Sequence, residues 1–268
     1  MTSVRVRAVD GTVVAERPDR LVTEEPLEIR VHGPGQAPQP LAVTMRTPGD
    51  DFELAVGFLI TEQLATPGDV ASVTYCVGNG GAPEYNLVNV GLTHPVSVHG
   101  RTFPVNASCG LCGATTIDDA LRDTSPVGPG PIVSRSVLVT LPDRLRDRQA
   151  VFAATGGLHA AGLFTARGDV IVLREDVGRH NALDKVVGHL ALHGDLPARD
   201  TIVAVSGRLS YEIVQKSAVA GISVLCAVSA PSSLAVDAAR RVDQTLVGFL
   251  RGDRFNVYTG SERVDLDR

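Results

Sequence analysis

Two cysteines, Cys109 and Cys112, form a Cys-x-x-Cys sequence in which a glycine follows each cysteine. A structural zinc site needs four ligands, usually two such pairs or one pair with two spaced histidines. The other cysteines, Cys76 and Cys226, each stand alone in an apolar run, so they supply no second pair. We therefore interpret Cys109 and Cys112 as reactive sulfur, and we predict no metal site.

The residues that follow the pair favour a thiolate. The spacing of Ile117 and Leu121 predicts a helix over 114–122, and a cysteine just before a helix faces its unpaired amides, which stabilise the reactive thiolate. The glycines allow backbone conformations that other residues avoid. Three interpretations remain open at this point: a thiol redox pair, a packed pair without chemistry, and a loop that carries sulfur as a persulfide.

The secondary structure that must position these cysteines is predicted to differ between the two halves of the chain. Short alternating segments and one amphipathic helix, with Asp50 as its N-cap, predict a smaller α+β domain over 1–130. A stretch rich in glycine and proline, 124–131, ends it. Strands then alternate with helices over 131–268, which predicts an α/β domain: a mixed sheet with helices on both faces.

The second half has a regular pattern of predicted elements. A helix over 143–154 precedes a hairpin, and a helix from Asn181 leads into alternating strands and helices. The predicted strands are 159–165, 170–174, 201–205, 222–228, 245–249 and 255–258, and the later helices are 211–220 and 232–241.

Two polar stretches, 174–185 and 206–216, follow strand ends, where open α/β sheets build their sites. The first has seven ionisable side chains in twelve residues, although a salt-bridged surface capped by Asn181 would also explain it. The second joins small residues and an arginine to a helix start, which suits a phosphate group. The candidate ligand-binding residues are Arg174, Arg179, His180, Lys185, Ser206, Gly207, Arg208 and Lys216.

Two details of composition bear on these stretches. Lys185 and Lys216 are the only lysines among 25 basic residues, which indicates either a need for an ammonium group there or chance. His159 begins a predicted strand after Gly156 and Gly157, and we leave open whether it is packed or functional. Cys226, in an apolar strand, is predicted to be core.

The bulk composition excludes several classes of function. The chain has 268 residues, 44% hydrophobic residues and a net charge of −5, so it can bury a sizeable core but is not expected to bind nucleic acid. It has no apolar run long enough to span a membrane and no signal-peptide core at the N-terminus. With unpatterned cysteines, this predicts a protein of the reducing cytoplasm that does not act at membranes.

Five segments together resemble a known family. The segments 108–113, 155–161, 174–185, 206–216 and 230–233, in this order and spacing, are similar to the formate dehydrogenase accessory sulfurtransferases, FdhD. The resemblance covers about residues 48–258 and is weakest in the first 25.

That resemblance implies a sulfurtransferase that works with a cysteine desulfurase and formate dehydrogenase. Sulfur would be loaded as persulfide and passed to the molybdenum cofactor, bound as substrate in its bis(molybdopterin guanine dinucleotide) form. By position, Cys109 is the persulfide carrier and Cys112 its partner in release or protection. A homodimer is also implied. The guanine dinucleotide segment of the family best matches Phe255, Asn256, Val257, Tyr258, Thr259 and Gly260.

The same family resembles the cytidine deaminase fold, which implies a three-layer C-terminal domain and a rival activity. Zinc deaminases use a His-x-Glu and a later Pro-Cys-x-x-Cys. Here Ala182 stands in the place of the glutamate, and the turn after the next strand, 206–210, has no cysteine. Zinc-dependent deamination is therefore disfavoured. A thiol redox enzyme and a nucleotide-binding regulator without zinc remain as alternatives to sulfur transfer.

Overall fold

A computed structural model describes residues 1–77, 81–97, 103–105 and 124–267, with backbone alone at 103–105. Cys109, Cys112 and the predicted helix over 114–122 lie outside these ranges, so the predictions for them stay predictions.

The N-terminal part begins with a hairpin and continues into a five-stranded sheet. Within the described ranges the sheet order is β5-β6-β3-β4-β7, and helix α1 packs on one face around a core that includes Leu27, Leu54 and Val90. The hairpin strands are β1 (Thr2–Asp10) and β2 (Val13–Leu21). The sheet comprises β3 (Glu25–His32), β4 (Gln39–Arg46), β5 (Val70–Val77), β6 (Pro83–Leu92) and β7 (Phe103–Val105), and α1 is Asp51–Thr61.

The C-terminal part is built on a six-stranded mixed sheet of order β10-β9-β11-β12-β13-β14. Strands β11, β12 and β13 run parallel, and the pairs β9/β10, β9/β11 and β13/β14 are antiparallel. The strands are β9 (His159–Thr165), β10 (Val170–Asp176), β11 (Thr201–Val205), β12 (Val224–Ala227), β13 (Thr245–Arg251) and β14 (Arg254–Thr259). A short separate pair joins β8 (Val133–Ser134) to β15 (Val264–Asp265).

Helices cover both faces of this sheet. One face packs against α5, α6 and α7 through residues such as Leu183, Val214 and Ala239. The other packs against α2 and α3 through Leu138 and Leu145. This confirms the predicted α/β class with a three-layer C-terminal part. The helices are α2 (Arg135–Leu138), α3 (Leu141–Arg146), α4 (Ala150–Thr155), α5 (Arg179–His193), α6 (Tyr211–Val219) and α7 (Ser233–Arg241).

One predicted helix is wrong, and the predicted N-cap residue of α1 is confirmed in position but not in its capping hydrogen bond; a distant partner explains both. The single helix predicted over 143–154 is divided into α3 and α4, and the carboxylate of Glu175 accepts hydrogen bonds from the first amides of α4, Val151 (3.0 Å) and Phe152 (2.8 Å). Asp50 occupies the N-cap position of α1, but its side chain makes no capping hydrogen bond and lies 3.4 Å from Arg174 instead.

The four cysteines divide into two described and two undescribed residues. Cys226 is fully buried in the sheet, as predicted, and burial raises the pKa of its thiol to about 12, so it is unreactive at neutral pH. Cys76 is partly buried in β5. No helix in the described ranges is long and apolar enough to cross a membrane.

Candidate functional site

Helices α1 and α5 cross with their backbones in contact, and this crossing joins the two parts of the chain. A β-carbon added at Gly57 would lie 1.8 Å from the carbonyl oxygen of Asp184, and one added at Gly188 would lie 1.8 Å from that of Glu53. Only glycine permits such a close approach at these positions. The crossing fixes helix α5, whose first turn follows the strand end at Asp176.

Lys185 lies in the interior beside this crossing. Its ammonium forms an ion pair with Asp176 at 2.8 Å and donates a hydrogen bond to the carbonyl of Thr47 at 3.0 Å. Asp176 is fully buried and also accepts hydrogen bonds from Asn181 (2.9 Å) and the amide of Thr47 (3.1 Å). Because Asn181 in turn bonds the carbonyl of Met45, the network ties the end of β4 to the start of α5.

Lys216 is buried in a second network on the same side. Its ammonium contacts both carboxylate oxygens of Asp184 at 3.0 Å, Glu62 at 3.0 Å and the hydroxyl of Thr61 at 2.8 Å. Burial alone would lower the pKa of Lys216, but the two carboxylates raise it above its usual value, so the lysine stays charged.

These contacts correct the predicted positions of three basic residues. Lys185 and Lys216 were placed on a ligand-receiving surface, but both are buried because each supplies the countercharge to a buried aspartate. Arg174 forms a two-pronged ion pair with Glu53 (2.5 and 2.7 Å), and this hydrogen bonding raises the pKa of Arg174. The charge of Arg174 is therefore also matched within the protein.

A different group of predicted residues does meet at the carboxyl ends of the parallel strands. Ser206, directly after β11, exchanges two hydrogen bonds with Ala160: its amide donates to the carbonyl (3.0 Å) and its hydroxyl accepts from the amide (2.9 Å). A β-carbon at Gly207 would lie 3.5 Å from both the Cδ of Arg179 and the Nδ1 of His159. The turn thus brings the start of β9, the start of α5 and the end of β11 together.

His159 lies in a positively charged environment at this point. Burial lowers the pKa of its imidazole below 6.5, and the charge of Arg179 lowers it further. The carboxylate of Asp176 acts in the opposite direction, and the charge of Arg208 adds a smaller lowering effect. The histidine is therefore neutral at pH 7, between two guanidinium groups. An anion bound here would relieve this repulsion, which makes the location suitable for phosphate or another anionic group.

His180 occupies a more enclosed position than predicted for a ligand contact. It is buried in the first turn of α5, with its Nε2 4.0 Å from the carboxylate of Glu212 at the start of α6. Its place is between two helix starts, and it does not line the cavity described next.

A cavity of about 550 Å³ opens beside His159 on the face of the sheet covered by α3 and α4. Gln149 lines it and is only 5% exposed, yet among the described residues its side-chain amide has no hydrogen-bond partner. The size falls in the range of small-molecule sites, and a side-chain amide on the wall that makes no hydrogen bond within the described protein can pair with a polar ligand group. The walls also include Arg146, Phe152, Gly157, Ser206, Leu250 and Arg251.

Sequence reasoning named Ser206 and His159 but missed Gln149, Arg146, Phe152, Leu250 and Arg251, because these lie on a predicted helix and at a strand end with no motif. The guanidinium of Arg146 lies over the ring of Phe152, 5.2 Å from its centroid, at the rim. The hydrogen bonds from the carboxylate of Glu175 fix the start of α4, and α4 then places Phe152 in the cavity wall that also contains His159. A break in the helical pattern at 147–149 was the one available signal.

Most of the predicted C-terminal segment, Phe255 to Thr259, belongs to edge strand β14, Gly260 follows directly, and the segment extends away from the site. Phe255 and Val257 pack into the core, whereas Asn256 is exposed and the ring of Tyr258 lies against Gly248. Thr259 pairs with Leu246 near the start of β13, at the amino ends of the parallel strands. The turn at 206–210 lies at their carboxyl ends. Gly260 is next to Thr245, also at the amino ends, so only the first half of the segment is near the cavity.

A second cleft, of about 590 Å³, lies at the far ends of α1 and α6. Its walls are mainly apolar and include Leu64, Leu196 and Val219. No residue predicted to bind a ligand lines it. The predicted residues that come together, Ser206, Gly207 and Arg179, therefore lie at the carboxyl edge and not in this cleft.

Comparison with known proteins gives a family for this fold and site. The model of the FdhD/NarQ family matches residues 22–265. The chain belongs to the FdhD/NarQ family. A family member from Streptomyces coelicolor, named sulfur carrier protein FdhD, is 51% identical over 97% of this chain and 94% of its own length. One of the same name from Sulfurisphaera tokodaii is 46% identical over 97% and 98%.

A solved structure of the same fold comes from Desulfotalea psychrophila, where the protein is described as a formate dehydrogenase accessory protein. Its TM-score to this chain is 0.78 with 22% sequence identity, and 98% of each chain is covered. At 22% identity this likeness establishes the fold of our chain alone. The shared fold agrees with the mixed sheet and its two helical layers.

Proposed function

We propose that this family member is a sulfur carrier: it takes persulfide sulfur from a cysteine desulfurase and transfers it to the molybdenum cofactor before that cofactor enters formate dehydrogenase. The observation that carries the proposal is the Cys-x-x-Cys at 109–112, within a chain that relatives named sulfur carrier proteins match over almost its whole length. The names of those relatives support the role of a sulfur carrier. The sulfur donor, the acceptor and the roles of the residues are our own assignment.

The loading step requires Cys109 as a thiolate. The thiolate attacks the outer sulfur of the desulfurase persulfide, a new S–S bond forms on Cys109, and the old bond breaks to release the desulfurase thiolate. No net oxidation occurs, because one persulfide replaces another.

The release step gives Cys112 its role. Its thiolate attacks the inner sulfur of the Cys109 persulfide, which forms a Cys109–Cys112 disulfide and releases hydrosulfide, the reduced sulfur that a metal centre accepts as a ligand. A dithiol reductant of the cell then restores both thiols. Two cysteines separated by two residues are within reach for such a disulfide.

The carboxyl edge of the large sheet supports the proposed acceptor. The cofactor, bound as substrate in its bis(molybdopterin guanine dinucleotide) form, has several phosphates and two planar bases. Arg179, Arg208, Gly207 and the first amides of α6 offer an anionic group donors and positive charge. The neighbouring cavity, with the unpaired amide of Gln149 and the imidazole of His159, has the size and polarity for one nucleotide arm.

The first test is loading of sulfur onto this chain. After incubation with a cysteine desulfurase and cysteine, intact-protein mass spectrometry should show one added sulfur atom on the wild type and on Cys226→Ala. Cys109→Ala should show none, and Cys112→Ala should load sulfur but fail to release it. Equal loading of Cys109→Ala, or full activation of formate dehydrogenase by that variant, would refute the proposal.

The same proposal includes the cellular location, the oligomeric state and the metal content of the protein. We expect the protein to work in the cytoplasm as a homodimer, with no resident zinc. Sedimentation of the purified chain tests the dimer, and metal analysis tests the zinc; a monomer or one bound zinc per chain would contradict these two expectations.

A further inference from the structure

The hairpin of β1 and β2 stands apart from both sheets. Among the described residues its nine-residue strands pair only with each other, so the outer edges of both are unpaired. Every residue of β2 is exposed. The family model begins at residue 22, directly after the hairpin, so this element lies outside the part that defines the family.

A two-stranded hairpin of this kind has little to stabilise it alone. Isolated hairpins are marginal in water, and an unpaired strand edge is a template for pairing with another chain. Val9, Val13, Val14 and Leu21 are exposed by 46% or more. The hairpin therefore has the surface of an element that is completed by a partner.

The two edges of the hairpin differ. Strand β2 contains Pro18, which removes one backbone donor, and it approaches helix α4 of the protein body. Strand β1 has no proline and pairs with β2 over its full length without a bulge. Natural proteins usually protect such an edge. The open edge is therefore that of β1.

The side chains of β1 define the chemistry of a partner strand. One face carries Arg5 and Arg7, with Arg20 beside them on β2 and Glu16 as the one acidic residue. None of these three arginines forms an ion pair in the part of the chain that the structure describes. The face is thus locally positive on a protein of net charge −5. The other face of β1 carries a row of partly buried apolar side chains, Val4, Val6 and Ala8, opposite Asp19, Arg17 and Ala15 of β2.

A second copy of this chain is a poor partner for this edge. An antiparallel two-fold pairing centred on Val6 places Arg5 opposite Arg7 of the other copy. Centring the pairing on Arg5 or on Arg7 places that residue opposite itself. Like charges directly opposite each other destabilise a strand pair. The two-fold registers that pair at least about seven of the nine residues of β1 all meet this penalty.

We propose that the free edge of β1 binds an extended segment of a different protein, one that alternates small apolar residues with aspartate or glutamate. The backbone groups of the two strands pair, the carboxylates face Arg5 and Arg7, and the apolar residues continue the face of Val4 and Val6. This is strand addition, in which the main chain supplies affinity and alternate side chains supply specificity. The inference does not depend on sulfur transfer.

The test uses the full-length chain and a fluorescent eight-residue peptide of alternating valine and glutamate. Fluorescence anisotropy should show saturable binding, and hydrogen exchange should slow at the amides of β1 on addition of peptide. A peptide of alternating valine and lysine should bind at least about tenfold more weakly. The variant Arg5→Glu/Arg7→Glu should reverse that preference, whereas Arg148→Glu/Arg167→Glu, which makes the same charge change elsewhere, should keep it.

Pairing through the backbone is separated from simple charge attraction by N-methylation. Of two valine–glutamate peptides methylated on alternate sets of amides, one should lose binding because its edge donors are blocked. Equal binding of both methylated peptides, binding unaffected by Arg5→Glu/Arg7→Glu, or no binding at all would overturn the proposal. Stronger binding to anionic lipid vesicles or single-stranded DNA than to the peptide, lost in Arg5→Glu/Arg7→Glu, would also overturn it.

Discussion

The crossing of α1 with α5 and the carboxyl edge of the six-stranded sheet use charged residues in opposite ways. At the crossing, Lys185 and Lys216 are buried and each ammonium faces a buried carboxylate. At the edge, Arg208 is exposed and, with Arg179, flanks a neutral histidine. The chain thus uses both lysines for architecture at the crossing, whereas Arg179 and Arg208 lie at the edge where an anion fits.

A physical difference between the side chains explains this division. An ammonium is a compact charge that can be surrounded by oxygen atoms, as Lys216 is by Thr61, Glu62 and Asp184. A guanidinium is planar, is more weakly hydrated and presents several donors to a phosphate or carboxylate. Basic residues of one polar stretch, such as exposed Arg208 and buried Lys216, therefore have different roles.

The largest expected effect is on stability at the crossing. Lys216→Met should lower the free energy of unfolding by about 3–5 kcal/mol, because it leaves Asp184 without a countercharge inside the protein. Urea unfolding measures it. The double variant Asp184→Leu/Lys216→Met should recover part of the loss. If Lys216→Met costs no more than Arg208→Met, the contrast between the two regions is wrong.

The next effect tests the glycine contact in the crossing. Gly188→Ala should destabilise the protein by about 1–3 kcal/mol through overpacking, although helix propensity alone favours alanine by about 1 kcal/mol. The sign of the change therefore distinguishes packing from propensity. Gly68→Ala, at an exposed glycine with room for a β-carbon, is the matched control and should change stability by less than about 0.5 kcal/mol. A more stable Gly188→Ala protein would refute the close crossing.

At the carboxyl edge we expect an effect on binding with little effect on stability. Arg208→Ala should weaken binding of guanosine diphosphate about tenfold, the loss of one charge-assisted contact, and leave unfolding unchanged within about 0.5 kcal/mol. Isothermal titration calorimetry measures the affinity. Arg167→Ala, at another exposed arginine, should bind normally. An unaltered affinity in Arg208→Ala would remove Arg208 from the site.

The smallest expected effect is a pH dependence at His159. Its pKa is lowered in the free protein, and a bound anion should raise it, so binding takes up a proton. Affinity for guanosine diphosphate should therefore rise severalfold between pH 8 and pH 6, and His159→Gln should flatten this dependence. Titration of the imidazole by NMR gives the pKa with and without ligand. A pKa that stays the same on binding would place the anion elsewhere.

The same shift has a consequence for folding. The folded protein holds His159 neutral at a pH where the unfolded chain has begun to protonate it, so its contribution to stability is full above pH 6.5. It is lost as the pH falls from there through the lowered folded pKa. His159→Gln should remove that part of the acid sensitivity.

Local sequence patterns were sufficient for much of the fold. Strand β11 was predicted with its observed ends, and β9 and α6 with at most one residue of difference, because alternating and helical periodicities are local. The boundary at residue 130 stays a prediction. The single helix predicted over 143–154 is wrong because Glu175, on strand β10, caps a separate second helix, α4, within that range.

The site was predicted less completely than the fold. Ser206, Gly207, Arg208 and Arg179 lie at strand and helix ends of the sheet, as the sequence pattern predicts, and their role in binding a ligand stays a prediction. Gln149 was missed, because nothing near it in sequence distinguishes a glutamine facing a cavity from one facing solvent. Lys185 and Lys216 were misplaced, since a charged residue in a polar motif gives no indication of its burial.

By itself, the sequence determined the order of the elements and supplied the Cys-x-x-Cys on which the proposed chemistry rests, because periodic apolar residues and a cysteine pair are properties of neighbours along the chain. Only the tertiary structure decided which charges are structural and which are available to a ligand. Lys216 contacts Thr61, 155 residues earlier, and burial and pairing of this kind depend on what folding brings together.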